Sequence, residues 1–170
     1  MGTRMKKYRE DEQPAREDRS TPLTVRVVES PAEVRKILSF DSRAFLLARS
    51  AQSSSSAQGF PLHVIGAFDG DRAVGFAAFK PTTGAIRVSH ELWVDPRARF
   101  GVASVAAAIL VALESAVRAT GCSRLFVLVG ESMPLRKALQ DSGYVASLTN
   151  ADLVWFEKGL VVGPDSLESA

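Results

Sequence analysis

The chain has 170 residues, of which 46% are hydrophobic and 24% charged, a balance typical of one soluble globular domain. Its formal net charge of +2 gives no strong indication of binding to nucleic acid or to an anionic membrane surface. The single cysteine, Cys122, excludes an internal disulfide framework and is typical of a reducing compartment. The longest apolar stretch, residues 102–113, is shorter than the ~20 residues that span a bilayer. We therefore expect a cytoplasmic protein that is not embedded in a membrane.

The two ends of the chain differ in composition from its centre. Residues 1–22 are mostly charged or polar, and their basic and acidic side chains nearly cancel. Such a segment buries too little apolar surface to offset its ordering entropy, so we predict a solvated tail, with a partner-binding arm as the alternative. Residues 161–170 are predicted to form a second tail. A single domain is therefore expected over residues 23–160.

Hydrophobic patterning predicts the elements of the first half of the domain. They are a strand at 24–29, helices at 31–38 and 41–51, a flexible serine-rich loop at 51–59, and strands at 63–68, 72–80 and 85–94. Ser30 and Glu33 form a capping box around Pro31, which starts the first helix. Asp69-Gly70 is a strong hairpin signal between two of the strands.

The second half alternates strands and helices. The predicted elements are a long helix at 101–120 closed by Gly121, a strand at 125–129 covered on both faces, a helix at 134–141 ended by Gly143, and a hairpin of strands at 144–148 and 153–158. The resulting order, β-α-α-β-β-β-α-β-α-β-β, predicts an α/β domain with a mixed sheet and helices on both faces.

One stretch carries recognisable chemistry, where a predicted strand ends and the long helix begins. It reads Leu92-Trp93-Val94-Asp95-Pro96-Arg97-Ala98-Arg99-Phe100-Gly101-Val102-Ala103. Free N–H groups and the helix dipole make such a helix start an anion site, and small residues let a phosphate approach the backbone. Arg97 and Arg99 add positive charge beside it. The alternative is that Gly101 and Ala103 serve only close packing of the helix on the sheet.

This stretch resembles the signature of the GNAT family of acyl-CoA-dependent N-acyltransferases, and the element order from about Val25 to Lys158 matches that family. The resemblance implies that the turn binds the pyrophosphate of acetyl-CoA and that the coenzyme's arm lies where the preceding strand splays from its neighbour. The residues it assigns to the coenzyme are Leu92, Trp93, Val94, Arg97, Arg99, Phe100, Gly101, Val102, Ala103 and Ser132. Ser132 takes the place of an asparagine that is common in the family. Backbone N–H groups near residues 92–94 are expected to bind the thioester carbonyl.

The sequence departs from the family's pattern in two respects. The turn is one residue shorter than usual, and Ala98 stands where the family usually has an arginine. Leu139 stands where many members have a tyrosine that protonates the departing thiolate, and a leucine cannot donate a proton. For the general base, Glu91 fits the family better, whereas His90 has the more convenient ordinary pKa.

Two functions follow from the resemblance. The first is transfer of acetyl from acetyl-CoA, as a co-substrate, to a primary amine of a small molecule or protein. The second is a catalytically degenerate domain with a structural or binding role, for example in a phage virion, held in an assembly by its N-terminal tail. No metal site is expected, because no second cysteine or nearby histidine accompanies Cys122.

Overall fold

The structure is a computed structural model that describes residues 21–38, 63–79, 89–150 and 153–161. The elements within these ranges are β1 (Leu23–Val28), α1 (Pro31–Leu38), β2 (His63–Asp69), β3 (Arg72–Phe79), β4 (Ser89–Val94), α2 (Val102–Ala119), β5 (Arg124–Val129), α3 (Met133–Asp141), β6 (Val145–Asn150) and β7 (Leu153–Gly159). The predicted helix at 41–51, the serine-rich loop, most of both tails and the start of the strand at 85–94 lie outside the described residues.

The strands form one seven-stranded sheet in the order β1-β2-β3-β4-β5-β7-β6. Among these strands β4 and β5 are parallel, and every other neighbouring pair is antiparallel. The predicted mixed α/β architecture is confirmed. The sheet has helices on both faces, because α1 contributes to one buried cluster and α2 and α3 to another.

Glycines end the elements where the sequence predicts turns. Gly70, Gly121 and Gly143 all have positive φ, between 59° and 83°, a backbone region that other residues rarely adopt. The N–H of Gly121 donates to the carbonyl oxygen of Arg118 at 2.9 Å and so closes α2. The predicted hairpin around Gly70 and both predicted helix ends are therefore confirmed.

Strand β4 changes its hydrogen-bonding neighbour halfway along. Its second half pairs with β3, with Leu92 opposite Ala77 and Val94 opposite Gly75. Its first half pairs with β5, and that ladder ends where Glu91 lies beside Leu128. Beyond this point β4 and β5 separate, and we call the opening the β4–β5 split.

The helix α2 lies at the centre of the larger buried cluster. The four residues predicted as its apolar stripe are fully buried: Val105, Ile109, Leu113 and Val117. By length and composition α2 could also span a membrane, but the core helix of a soluble domain meets the same criteria. Its stripe packs against the sheet. On β5, the side chains facing this core are buried, whereas Phe126 and Leu128 on the other face are only half-buried.

Helix α2 approaches the sheet closely at Gly75 of β3. A Cβ atom placed there would lie 2.9 Å from Cδ1 of Ile109 and 3.0 Å from the carbonyl oxygen of Trp93. We expect Gly75→Ala to lower the free energy of unfolding by about 1–3 kcal/mol, because the added methyl overpacks this contact. Gly159→Ala is the control, since nothing lies within 4 Å of its Cβ position. Urea denaturation measures both, and equal stability of Gly75→Ala and the wild type would contradict the packing.

Candidate functional site

Two successive tight turns connect β4 to α2. In the first, the N–H of Ala98 donates to the carbonyl oxygen of Asp95 at 3.0 Å. In the second, the N–H of Gly101 donates to the carbonyl oxygen of Ala98 at 2.9 Å. The Asp95 carboxylate accepts the N–H of Arg97 at 2.8 Å and stabilises the first turn. Ala98, where the resembling family usually has an arginine, is buried in the core, so the side chain at this position does not face the surface.

The first turn of α2 presents uncapped N–H groups. Gly101 precedes the helix with φ 79° and ψ 146°, and no side chain caps the N-terminus. The first helical hydrogen bond joins the N–H of Val105 to the carbonyl oxygen of Gly101 at 3.2 Å, which leaves the N–H groups of residues 102–104 without helical partners. No acidic residue lies in this turn, and the space beside Gly101 is open within 4 Å. The geometry is that of an anion site.

Two reciprocal ion pairs fasten this turn to the β2–β3 hairpin. Arg99 binds Asp69 with both ends of its guanidinium, Nε to Oδ2 at 3.0 Å and Nη2 to Oδ1 at 2.6 Å. In the opposite sense, Arg72 of the hairpin binds Asp95 of the turn. We call these two pairs the turn clamp. Arg99 also donates to the carbonyl oxygen of Thr21 at 2.7 Å.

The clamp distinguishes the two arginines that the sequence assigns to the coenzyme. The guanidinium of Arg99 is committed to Asp69 and lies 4.3 Å above the ring of Phe100. Arg97 is exposed, and within the described ranges its side chain has no hydrogen-bond or ion-pair partner. Of the two, Arg97 is therefore the one whose side chain is available to a ligand.

The clamp also sets the charge around the anion site. The N–H of Arg97 and then the Arg72 guanidinium hold the pKa of Asp95 below its ordinary value. The Arg99 guanidinium lowers the pKa of Asp69 in the same way. Both carboxylates are thus ionised and neutralised by partners at neutral pH, which limits their repulsion of an anionic ligand.

The predicted catalytic pair lies at the closed end of the split. His90 is in register with Val127 and Glu91 with Leu128, the last pairs before β4 and β5 separate. The structure describes the backbone of these two residues but not their side chains, so the choice of base stays a prediction. Leu92 and Val94 are buried in the α2 core, and the half-buried ring of Trp93 stacks on Phe76 at 5.7 Å.

One backbone donor of β4 faces the split. The N–H of Asp95 donates to the carbonyl oxygen of Val74, on the β3 side, at 2.8 Å. Alternate residues of an antiparallel strand bond to the same neighbour, so the N–H of Trp93 also faces β3. The N–H of Val94, between them, therefore faces the split, beyond the end of the β4–β5 ladder.

A second helix begins at the open end of the split. Ser132 is the N-cap residue of α3 and lies three residues after the end of β5. Its side chain is half-buried and makes no capping hydrogen bond, so its hydroxyl is not committed to the helix. Nearby, Arg136 donates from Nε to the carbonyl oxygen of Gly130 at 2.9 Å and fixes the turn between β5 and α3.

The position of the family's acid, Leu139, and the one described tyrosine, Tyr144, both lie in the core. Leu139 is fully buried in the core between α3 and the sheet. Tyr144 is also buried, and its hydroxyl has no hydrogen-bond partner among the described residues. Burial and the neighbouring Glu114 carboxylate raise the pKa of Tyr144 well above its ordinary value, so the phenol stays protonated.

The sequence matches no family sequence profile and no curated protein, but its structure is similar to several solved ones. A Desulfovibrio desulfuricans protein assigned to the GNAT family of acetyltransferases is 20% identical with a TM-score of 0.61, over 82% of this chain and 100% of that one. A Salmonella typhimurium protein assigned as an acetyltransferase, solved with acetyl-CoA, is 12% identical with a TM-score of 0.56, over 84% and 96%. The PaiA N-acetyltransferase of Thermoplasma acidophilum, in complex with coenzyme A, is 17% identical with a TM-score of 0.52, over 78% and 80%.

These likenesses confirm the fold that the sequence motif predicts. The chain has the GNAT acyl-CoA N-acyltransferase fold, and its sequence is a divergent one for that fold.

The depressed pKa values in the clamp predict how stability depends on pH. A carboxylate with a lowered folded-state pKa stabilises the fold above its unfolded pKa of about 4, and this contribution disappears as pH falls through the folded-state value. We therefore expect Asp95→Asn to be less stable than the wild type at pH 7, with the difference shrinking below pH ~4. Urea denaturation between pH 7 and 2.5 measures it, with the exposed Asp71→Asn as control. A difference that stays constant over that range would contradict the clamp.

Proposed function

We propose that the chain is an acyl-CoA-dependent N-acyltransferase that transfers acetyl from acetyl-CoA to a primary amine. The observation that carries this proposal is the β4–β5 split, which opens beside the uncapped N-terminus of α2. A split alone offers unpaired backbone groups, and a helix N-terminus alone offers an anion site. Together they match a ligand that has a pyrophosphate at one end and an amide-containing arm leading to a thioester.

The phosphate end of the ligand fits the first turn of α2. The N–H groups of Val102, Ala103 and Ser104 supply donors, and the small side chains at 103 and 104 let phosphate oxygens approach. Arg97 supplies the mobile positive charge, whereas Arg99 holds the turn in place through Asp69. We assign the contact with the arm to Ser132, on the other side of the split, because its hydroxyl makes no capping hydrogen bond.

The thioester end fits the narrow part of the split. The N–H of Val94 faces the split and is the donor for the thioester oxygen as negative charge develops on it. Glu91 or His90, one or two residues before Leu92 on the same strand, takes a proton from the substrate ammonium, and the resulting amine then attacks the thioester. The departing thiolate then takes its proton from water, because the described tyrosine and Leu139 are both enclosed in the core.

The acceptor is a primary amine of a small molecule or protein, and the described residues carry no chemical signature that selects one. A second candidate function, a catalytically degenerate domain with a structural or binding role, is favoured by Leu139 in the core at the position of the family's usual acid. In that case the N-terminal tail would serve assembly, and a cytoplasmic or virion location would follow from the partner.

Acetyl-CoA calorimetry tests the site. We expect wild-type binding, and we expect Arg97→Ala to raise Kd about tenfold, because a hydrogen bond to a charged group contributes about 1.5 kcal/mol. Gly101→Glu should weaken binding further, since it places a carboxylate at the anion site and is strained at φ 79°. Arg35→Ala on α1 is the matched control and should leave Kd unchanged, because this exposed arginine belongs to the helix that packs on the opposite face of the sheet from α2.

The calorimetric results distinguish the proposed function from the proposed binding site. Absence of binding by the wild type at millimolar acetyl-CoA would contradict the function, and binding indifferent to both site variants would contradict the site. Turnover is measured by thiol release with a panel of primary amines. Binding without release, for every amine in the panel, would favour the second candidate function.

A further inference from the structure

A lysine ammonium joins three elements in the interior of the domain. Lys158 of β7 donates from Nζ to Oε1 of Glu114 on α2 at 2.7 Å. It also donates to the carbonyl oxygen of Ser142, at the end of α3, at 2.8 Å, and lies 5.3 Å from the ring centroid of Tyr144. One cation therefore links a strand and two helices.

Its partner is unusual in this chain. Glu114, 8% exposed, is the buried charged residue among the residues that the structure describes, and it also accepts from Arg118 at 3.1 Å. A buried ion pair contributes little net stability relative to apolar side chains of similar volume, because both charges must be desolvated. A gain in stability therefore does not explain why two charged residues lie here. The geometry that their hydrogen bonds impose on the neighbouring elements does explain it.

The linked elements lie on opposite sides of the β4–β5 split. Helix α2, which carries Glu114, packs across β1 to β4. Strand β7, which carries Lys158, pairs with β5 on the other side. Lys158 is in register with Leu125, three residues before the ladder between β4 and β5 ends at Leu128. The ion pair therefore joins the two sides at the Leu125 end of β5, and the described β4–β5 register pairs lie between it and the split.

Among the described residues, few backbone pairs hold the two sides together. The described part of the β4–β5 ladder, which starts at Ser89, spans three register pairs, whereas the β5–β7 ladder spans six. The relative position of the two half-sheets consequently depends on side chains that cross between them. Among these side chains, Glu114 and Lys158 are the charged pair. Their short hydrogen bonds fix the distance and direction between α2 and β7 more narrowly than apolar contacts do.

We infer that Glu114 and Lys158 are positioning residues that set the width of the β4–β5 split and, through it, the affinity for the acyl coenzyme. This inference rests on the proposed function for its second half. Neither residue touches the reacting atoms. Loss of the pair lets the half-sheets pivot about the β4–β5 ladder, and the donors at the split then lose their spacing.

The first test needs no coenzyme. Lys158→Met keeps most of the aliphatic length and removes the ammonium, and Lys137→Met is the matched control, because it breaks the exposed Lys137–Asp141 pair on α3. Amide hydrogen exchange in the full chain should become at least about threefold faster at residues 92–94 and 127–129 in Lys158→Met relative to the control. Equal exchange at these residues in the two variants would overturn the inference.

The second test measures acetyl-CoA affinity by calorimetry, at a temperature where circular dichroism shows every variant folded. We expect Lys158→Met and Glu114→Gln each to raise Kd about tenfold, and the double variant to be no weaker than either single one. Lys158→Arg should restore part of the affinity. Unchanged Kd in variants whose melting temperature falls would overturn the inference, because a merely structural pair behaves in that way.

The two tests separate the inference from the proposed function. Faster exchange at the split in a chain whose wild type does not bind acetyl-CoA would support the positioning role and contradict the acyltransferase. If Lys158→Met does not fold, Glu114→Asp is used in both tests instead. This variant keeps the negative charge but has a side chain one methylene shorter.

Discussion

Strand β4 bonds to β5 through its first half and to β3 through its second, and this change of partner organises the domain around it. Sheets normally pair every backbone group, because an unpaired buried N–H or carbonyl is costly. Here the parallel ladder stops at Glu91, and the N–H of Val94 faces an opening inside the sheet instead of an adjacent strand. The chain then leaves β4 through a tight turn and starts α2 at that same end. A backbone donor and a helix N-terminus thus meet at one place.

The charges near this place are arranged so that two carboxylates coexist with an anion site. Asp95 of the turn binds Arg72 of the hairpin, and Asp69 of the hairpin binds Arg99 of the turn. These two ion pairs neutralise both carboxylates and fix the turn on the sheet. Of the two turn arginines, they leave Arg97 as the one whose charge is available. Our proposal assigns to Arg97 the contact with an anionic ligand, because Ala98 stands where the resembling family usually has an arginine.

Most of the fold follows from local features of the sequence. Alternation and helical spacing predict nearly every described element, and the glycines at 70, 121 and 143 mark turns because few other residues adopt their positive φ. The turn at Gly101 is predictable for the same reason. Local sequence features do not indicate which of Arg97 and Arg99 has a side chain available to a ligand. That choice depends on Asp69, which is 30 residues away in the chain and becomes a neighbour only in the folded sheet.

The Glu114–Lys158 pair shows the same limit, since its partners are 44 residues apart. From the sequence alone, a glutamate on a helix is expected on the solvent-facing side. Glu114 becomes buried only because α3 and β7 pack over it. The half-exposure of Phe126 and Leu128 also depends on tertiary context, because an apolar run does not indicate which of its faces a helix will cover.

The central claim is that an acyl coenzyme occupies the β4–β5 split with its phosphates on α2. Backbone amide chemical shifts of the 15N-labelled full chain, titrated with acetyl-CoA, test it most directly. The account predicts saturable shifts centred on Val94 and on residues 102–104, with hydrogen-exchange protection of the same amides. No shifts at millimolar acetyl-CoA, or saturable shifts that leave these four amides unchanged, would contradict it.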